Sequence, residues 1–206
     1  MEVDRTGIAG WAVAIAVVGA TSTGCGSADK SSSPSSVPAS SSPASTSSSV
    51  VTGPPSGQPS DYGFLLIKPN DIGGGLTAPQ SPMLNPNNAP GVAQLFANGD
   101  SSRRLWDTIV VAADPSAAAA ESASTLGSYN GKVNGSWQPL AVGANGITIS
   151  GTSPDNSQAM TVLVFTEAKA LVTLEFDSPP NEPIDPAVAL DIGRKQDAAI
   201  KNRLPG

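Results

Sequence analysis

A serine- and proline-rich tract divides this 206-residue chain and limits what it can fold into. Of the 35 residues from 26 to 60, 15 are serine and six are proline. Asp29 and Lys30 are the charged residues of the tract, which has no aromatic residue. Such a composition buries too little apolar surface to offset the entropy lost on ordering. We therefore expect a disordered tether after residue 25 and one folded domain over residues 61–206.

The start of the chain has the pattern of a lipoprotein signal peptide over residues 1–24. An apolar run of 13 residues, from Ile8 to Ala20, is shorter than the ~20 residues that cross a bilayer, but it fits the apolar region of a signal peptide. It leads through small residues to Gly24-Cys25, which resembles a bacterial lipobox. That resemblance implies that Cys25 is lipidated and begins the mature chain, where two or more acyl chains give stable anchoring. The alternative is an uncleaved membrane anchor with a free cysteine.

The composition excludes several function classes. The chain has one cysteine and no histidine, which excludes a Ser-His-Asp triad, an intrachain disulfide and a cysteine-based zinc cluster. Its net charge of −6 argues against broad nucleic-acid binding, which needs a positive patch to neutralise phosphates. The sequence therefore favours a binding role over catalysis.

Hydrophobic patterning of residues 61–206 predicts an α+β domain. Two Asp-Pro pairs, at Asp114 and Asp185, each combine an N-cap residue with a proline at the first helical position. Apolar and alternating runs separated by turn residues predict strands that pair as antiparallel neighbours. The predicted order is β-β-α-β-β-β-β-α, with helices packed on a single, mostly antiparallel sheet. The predicted strands are 91–97, 104–113, 137–142, 146–150, 159–166 and 170–177, and the predicted helices are 115–126 and 186–203.

A ligand pocket or lid is expected where the long loop of residues 73–90 meets the sheet. The loop is longer than most connections, and Leu76, Met83 and Leu84 are its sizeable apolar residues. Trp106 and Trp137 stand near strand beginnings, where each could line the mouth of a pocket or cover the core. We expect the core position for both, as for Phe165 and Phe176 inside strong strands.

The acid and base chemistry available to the domain comes from carboxylates. Asp107, Asp114, Glu167, Glu175 and Asp177 flank strands, and no spacing singles out a pair. We expect Asp114 to cap a helix and the others to be solvated charges at sheet ends. No nucleophile elbow, phosphate-binding loop or EF-hand spacing occurs in the chain. The sequence therefore predicts no catalytic residues, no metal and no cofactor.

Two segments carry a resemblance to a known group. The run Asp-Thr-Ile-Val-Val-Ala-Ala-Asp-Pro-Ser-Ala-Ala-Ala-Ala over residues 107–120 and the ending Gly-Arg-Lys-Gln-Asp-Ala-Ala-Ile-Lys-Asn-Arg-Leu-Pro over residues 193–205 are similar to actinobacterial, especially mycobacterial, cell-envelope lipoproteins. The nearest comparison is the LpqN type. The resemblance implies a PsbP-like sandwich and an envelope accessory or lipid-handling role.

These observations predict a non-enzymatic envelope lipoprotein, held at the outer face of the cell membrane by its acyl chains. Its domain would bind another envelope component, which is a protein complex, a lipid or a glycolipid. One alternative is a carrier that holds an apolar ligand between sheet and helix. Another is a carboxylate-dependent envelope hydrolase, which would need two carboxylates in one cleft.

Overall fold

The computed structural model of the protein describes residues 61–204. The predicted signal peptide, the lipidation at Cys25 and the tether concern residues outside this range. None of the helices formed by residues 61–204 has both the length and the apolar content needed to cross a bilayer.

An eight-stranded antiparallel sheet forms the centre of the described domain, with helices packed on it, which confirms the predicted α+β class. Its strand order is β1-β2-β3-β8-β7-β6-β4, and β5 pairs with β6 beside β4. The strands are β1 (Met83–Leu84), β2 (Gly91–Ala97), β3 (Arg104–Val111), β4 (Asn134–Gly135), β5 (Gln138–Pro139), β6 (Ala144–Thr152), β7 (Ala159–Glu167) and β8 (Ala170–Ser178). The helices are α1 (Pro69–Ile72), α2 (Pro115–Ser128) and α3 (Pro186–Arg203), and short 3-10 turns occur at Gly63–Leu65 and Pro86–Asn88.

Each face of the sheet has its own hydrophobic core, because side chains alternate along a strand. The larger core contains Leu105, Ile109 and Phe165 and is covered by α3 together with residues 62–72. The smaller core contains Val162 and Val164 and is covered by the end of α2 and the residues that follow it. We call the two surfaces the α3 face and the α2 face.

A buried glutamine attaches the first part of the domain to α3. Gln196 has no exposed surface. Its Oε1 accepts a hydrogen bond from the backbone N–H of Ile67 at 3.1 Å, and its Nε2 donates to the carbonyl of Leu65 at 2.9 Å. The segment before α1 therefore obtains backbone hydrogen bonds from a helix side chain rather than from the sheet.

Both predicted helix starts are present. Asp114 Oδ1 accepts a hydrogen bond from the backbone N–H of Ala117, and Asp185 Oδ1 accepts one from Ala187. The predicted end of α2 before Gly127 is wrong, since the helix continues to Ser128. Helix ends vary by a residue or two because they lack the full hydrogen-bond ladder.

The predicted strand over residues 137–142 is wrong in length. The paired residues of β5 are Gln138 and Pro139. The N–H of Leu140 still bonds the carbonyl of Gly146 in β6, and the N–H of Val142 then bonds the nearby carbonyl of Leu140. Gly143 then takes a positive φ of 54°, which bends the chain away from an extended path. The predicted loop 73–90, in turn, contains the short edge strand β1.

The helical spacing of the apolar residues predicts a buried stripe on α3 formed by Val188, Ile192, Ala199, Ile200 and Leu204, and the structure differs from it at two places. Val188 was expected to be buried and is 46% exposed, while Ala189 takes the buried position. Gln196 lies inside the stripe although its side chain is polar, because it bonds the backbone described above. Ile192, Ala199, Ile200 and Leu204 are buried as predicted.

Candidate functional site

A cleft opens on the α3 face, where the first half of α3 meets the turn after α1 and the ends of β3 and β8. It has a volume of about 130 Å³. We call it the α3 cleft. Its lining is formed by Ile72, Gly73, Gly74, Leu76, Arg103, Arg104, Phe176, Asp177, Ser178, Ile184, Val188 and Ile192. One end of the cleft is apolar and the other end carries the charged residues.

The apolar end is built from three segments far apart in sequence. Ile72, Phe176 and Ile192 are buried and form its floor, and Val188 stands exposed at its rim. The wall opposite α3 is a glycine turn, in which Gly73 and Gly74 have φ values of 75° and 64°. Positive φ is costly for other residues, so glycine lets the chain turn back sharply here.

The polar end of the cleft holds Arg103, and Arg104 follows it at the start of β3. The Nη2 of Arg104 lies 3.2 Å from Oδ2 of Asp177, and Arg103 forms an ion pair with Glu182. The Asp177 side chain is 6% exposed, and its Oδ1 has no hydrogen-bond partner among residues 61–204. Burial and, after it, the nearby Glu175 raise the pKa of Asp177, while Arg104 opposes that rise. Alternation along β3 and β8 puts the Arg104 and Asp177 side chains on the α2 face, with Trp106 and Glu175, so this ion pair does not point into the α3 cleft.

A second, shallower depression lies on the other side of residues 63–69. It has a volume of about 250 Å³, and its lining includes Phe64, Lys68, Gln94 and Arg203. Arg203 Nη1 donates to the carbonyl of Phe64 at 2.8 Å and to that of Leu66 at 3.1 Å. This arginine therefore serves to attach the chain to the end of α3.

The α2 face carries an aromatic cluster rather than a cleft mouth. The hydroxyl of Tyr129 donates to Oε2 of Glu175 at 2.6 Å, and its ring meets Trp137 edge-on at 6.4 Å. Lys132 Nζ lies 5.1 Å from the same ring. Burial, followed by the charge of Glu175, raises the pKa of Tyr129. Trp137 packs against the smaller core, and Trp106 stands half-buried opposite Glu175 in the strand register.

The predicted pocket residues are dispersed. Leu76 lines the α3 cleft, whereas Met83 and Leu84 lie on the edge strand β1, where they are 56% and 46% exposed. Trp106 and Trp137 belong to the α2 face. Sequence reasoning missed Arg103 and Arg104, although the pair is visible as adjacent basic residues at a predicted strand start.

The expectation of solvated carboxylates at sheet ends is wrong for Asp107 and Asp177. Asp107 lies in the middle of β3 on the α3 face, has no exposed surface, and neither of its oxygens has a hydrogen-bond partner within the described domain. Removal from water raises the pKa of Asp107 to about 8. Asp114 caps α2 as predicted, and its pKa is lowered by hydrogen bonds from Ser116 and Ala117.

A further carboxylate pair lies where β7 ends beside α3. Lys201 Nζ is 3.0 Å from Oδ2 of Asp197 and 3.5 Å from Oε2 of Glu167. Burial and then Asp197 raise the pKa of Glu167. Neither carboxylate lines the α3 cleft or the shallower depression. No three His, Cys, Asp or Glu side chains of residues 61–204 converge as a metal ion would require.

Comparison with known proteins gives a single distant likeness to report. Neither a family model nor a curated protein matches the chain. Among solved structures, the chain is similar to the crystal structure of the extracellular domain of PknH from Mycobacterium tuberculosis, with a TM-score of 0.41 and 9% sequence identity. The match covers 65% of this chain and 70% of the other. A likeness of this degree assigns neither a family nor a function.

Proposed function

We propose that this chain is a non-enzymatic, membrane-anchored protein of the cell envelope, whose domain binds another envelope component through the α3 cleft. The observation that carries the proposal is the cleft itself, with an apolar floor, an exposed Val188 at its rim and Arg103 at one end. Such a combination of apolar surface and a few placed polar groups is typical of binding sites.

The composition of the cleft favours binding over catalysis. Asp177 is the one carboxylate in its lining, and an ion pair with Arg104 occupies one of its oxygens. A glycoside-hydrolase mechanism needs two carboxylates on either side of the bond that breaks. The Glu167–Asp197 pair lies elsewhere and shares Lys201. These placements support a site that holds its partner without reacting with it.

The size of the cleft favours a partner's surface over a carried lipid. Pockets for complete small-molecule ligands typically measure about 300–1,000 Å³. The volume of the α3 cleft, about 130 Å³, lies below this range, which disfavours the carrier alternative.

Photo-crosslinking in living cells of the protein's own host tests the binding function. A photoreactive amino acid replaces Val188 at the cleft rim in the full chain, and a matched chain carries it at Glu121, an exposed position of α2. We expect a discrete cross-linked product from position 188 that is lost when Leu76→Asp is added. The proposal fails if position 188 gives no product, or if both positions give the same one.

Membrane anchoring has its own test. Cells expressing the full chain are labelled with an alkyne fatty acid, and the Cys25→Ala chain serves as the control. We expect label on the wild-type chain and none on the variant, because acylation requires the Cys25 thiol. Equal labelling of both chains would contradict lipidation at this residue.

A further inference from the structure

We infer that the α2 face binds a neutral polysaccharide, with one sugar ring stacked on the indole of Trp106 and its hydroxyls bonded to Arg104 and Glu175. This site lies on the opposite face of the sheet from the α3 cleft, so the inference does not rest on the proposed function. It follows from an uncovered part of the sheet, from the groups around Trp106 and from the balance of their charges.

Part of the α2 face is uncovered. Helix α2 lies over β7 and β8. Along β3, the residues on the α3 face are buried, whereas those on the α2 face are each partly exposed, namely Arg104, Trp106, Thr108 and Val110. On the neighbouring strand β2, the partly exposed residue is Leu95, which stands opposite Trp106. We call the surface formed by Leu95, Arg104, Trp106, Thr108 and Glu175 the Trp106 platform.

The indole of Trp106 supplies apolar surface for a sugar. One face of a sugar ring carries C–H groups, whereas its edge carries hydroxyls. The C–H hydrogens are weakly positive and therefore suit the negative face of an aromatic ring. Among residues 61–204, no other aromatic ring and no cation packs on Trp106. The exposed part of the indole is therefore available to a ligand.

Glu175 and Arg104 place an acceptor and donors beside the indole. Glu175 is directly opposite Trp106 in the strand register, and side chains in such positions have Cβ atoms about 5 Å apart. Its Oε2 accepts from Tyr129, whereas its Oε1 keeps access to solvent and has no hydrogen-bond partner among residues 61–204. Arg104 precedes Trp106 by two residues on the same face, and its Nη2 meets Asp177. A guanidinium has five N–H donors, so others remain for the hydroxyls of a ligand.

The charges around the platform balance, which favours a neutral ligand over an ion. Two cations, Arg104 and Lys132, accompany two carboxylates, Asp177 and Glu175. Such a balance gives no long-range attraction to a polyanion or to a basic segment. The hydroxyls of a neutral sugar both donate and accept, which matches donors and acceptors side by side. Because the surface is open, a chain continues past the bound ring on both sides, so a polysaccharide suits it better than a lipid headgroup.

A saccharide titration of the full chain tests the inference. The chain is labelled with ¹⁵N, held in phosphatidylcholine nanodiscs and titrated with maltotetraose or with cellotetraose. The indole N–H signal of Trp106, assigned by its loss from the Trp106→Leu chain, reports binding by NMR. We expect at least one of the two tetrasaccharides to shift this signal saturably at millimolar concentration. The inference is overturned if neither tetrasaccharide shifts it.

Two substitutions locate the bound sugar, with the backbone amide signal of Thr108 as the readout that every chain retains. Trp106→Leu removes the flat ring and should weaken binding about tenfold, and Glu175→Gln removes a charged acceptor and should weaken it about threefold. Val188→Asn is the matched control, because Val188 is exposed at the rim of the α3 cleft, and it should bind like wild type. The inference is overturned if either platform variant binds like wild type, or if the control weakens binding equally.

Two further arms identify other occupants. If the peptide acetyl-Lys-Lys-Lys-amide shifts the Trp106 signal and neither tetrasaccharide does, the platform binds a cation and the inference is wrong. If nanodiscs that contain digalactosyldiacylglycerol shift that signal and the tetrasaccharides do not, a glycolipid headgroup is the occupant and the inference is again wrong. The cross-link from Val188 reports on the other face of the sheet, so the proposed function and this inference fail separately.

Discussion

The buried carboxyl of Asp107 makes a sharp prediction about stability and pH. Asp107 lies on β3 between Leu105 and Ile109, opposite Gln94 on β2 and Leu174 on β8. The amide of Gln94 donates to the carbonyls of Gln80 and Leu95, which leaves no bond from it to the carboxyl. Asp107 is therefore held in apolar surroundings without a hydrogen bond, and the neutral form is strongly preferred.

The sign and size of the effect follow from the pKa. The pKa of Asp107 is about 8 in the folded protein against an ordinary value of 3.8. The folded state keeps a proton on Asp107 that the unfolded state releases above pH 4. The free energy of unfolding is therefore unaffected by this group below pH 4 and falls as the pH rises from 4 to 8. The two pKa values differ by about four, and a difference of one is worth about 1.4 kcal/mol, so the loss approaches about 5 kcal/mol. That is comparable to the whole stability of many domains.

Asp107→Asn is the decisive variant, because asparagine has nearly the same shape and cannot ionise. Urea unfolding of the full chain, followed from pH 4 to pH 9, measures the free energy of unfolding. We expect wild type and variant to agree near pH 4 and to diverge steadily above it, with the variant more stable at pH 8. Asp191→Asn, at an exposed position of α3, should track wild type. Parallel profiles for wild type and Asp107→Asn would refute the burial argument.

Two further substitutions test how the elements are held. Gln196→Leu should lower the free energy of unfolding by about 2–4 kcal/mol, because the carbonyl of Leu65 and the N–H of Ile67 lose their buried partner. A protease should also cut the variant faster than wild type near residue 65. An unchanged rate of cutting would contradict this prediction. Asp114→Ala should cost about 1 kcal/mol in chemical denaturation by removing the N-cap of α2. Glu121→Ala on the exposed side of the same helix should cost less, and equal losses would argue against the cap.

Local signals account for the parts of the fold that were predicted. The Asp-Pro pairs at Asp114 and Asp185 mark both long helices because capping and a fixed φ act within a few residues. The strands of the sheet centre, such as Ala159–Glu167 and Ala170–Ser178, are recognisable from their β-branched and aromatic content and the short turn between them. None of these signals depends on what packs against the element.

Burial of individual polar residues could not be predicted in the same way. Asp107 and Gln196 are polar residues within otherwise apolar segments, and hydrophobic periodicity predicts that polar residues are exposed to water. Their burial depends on which element covers each face of the sheet. Val188 shows the converse, since an apolar residue at helical spacing lies at the open rim of the cleft rather than beneath another element. Each case is decided by tertiary packing.

The start of the loop at residues 73–90 lines the α3 cleft, but the other walls of the cleft were not predicted, for a topological reason. Its walls come from the turn at Gly73, the start of β3 at Arg104, the end of β8 at Phe176 and the first half of α3. These meet because β3 pairs with β8 across more than 60 residues of sequence, with Arg104 opposite Asp177. The order of residues along the chain identifies the long loop and its Leu76, but it does not show that Ile72, Phe176 and Ile192 meet in one cleft.

The way in which α3 holds the first part of the domain implies that the cleft is preformed. Gln196 bonds Leu65 and Ile67, and one residue earlier on the helix Lys195 Nζ donates to the carbonyl of Asp71 at 2.8 Å. The glycine wall of the cleft begins two residues after Asp71, so its position is fixed from the same helix that supplies the opposite wall. A partner then loses little free energy in ordering the site. Gln196→Leu should therefore reduce the yield of the cross-link from position 188 although Gln196 does not line the cleft, and an unchanged yield would show that the wall is positioned by other contacts.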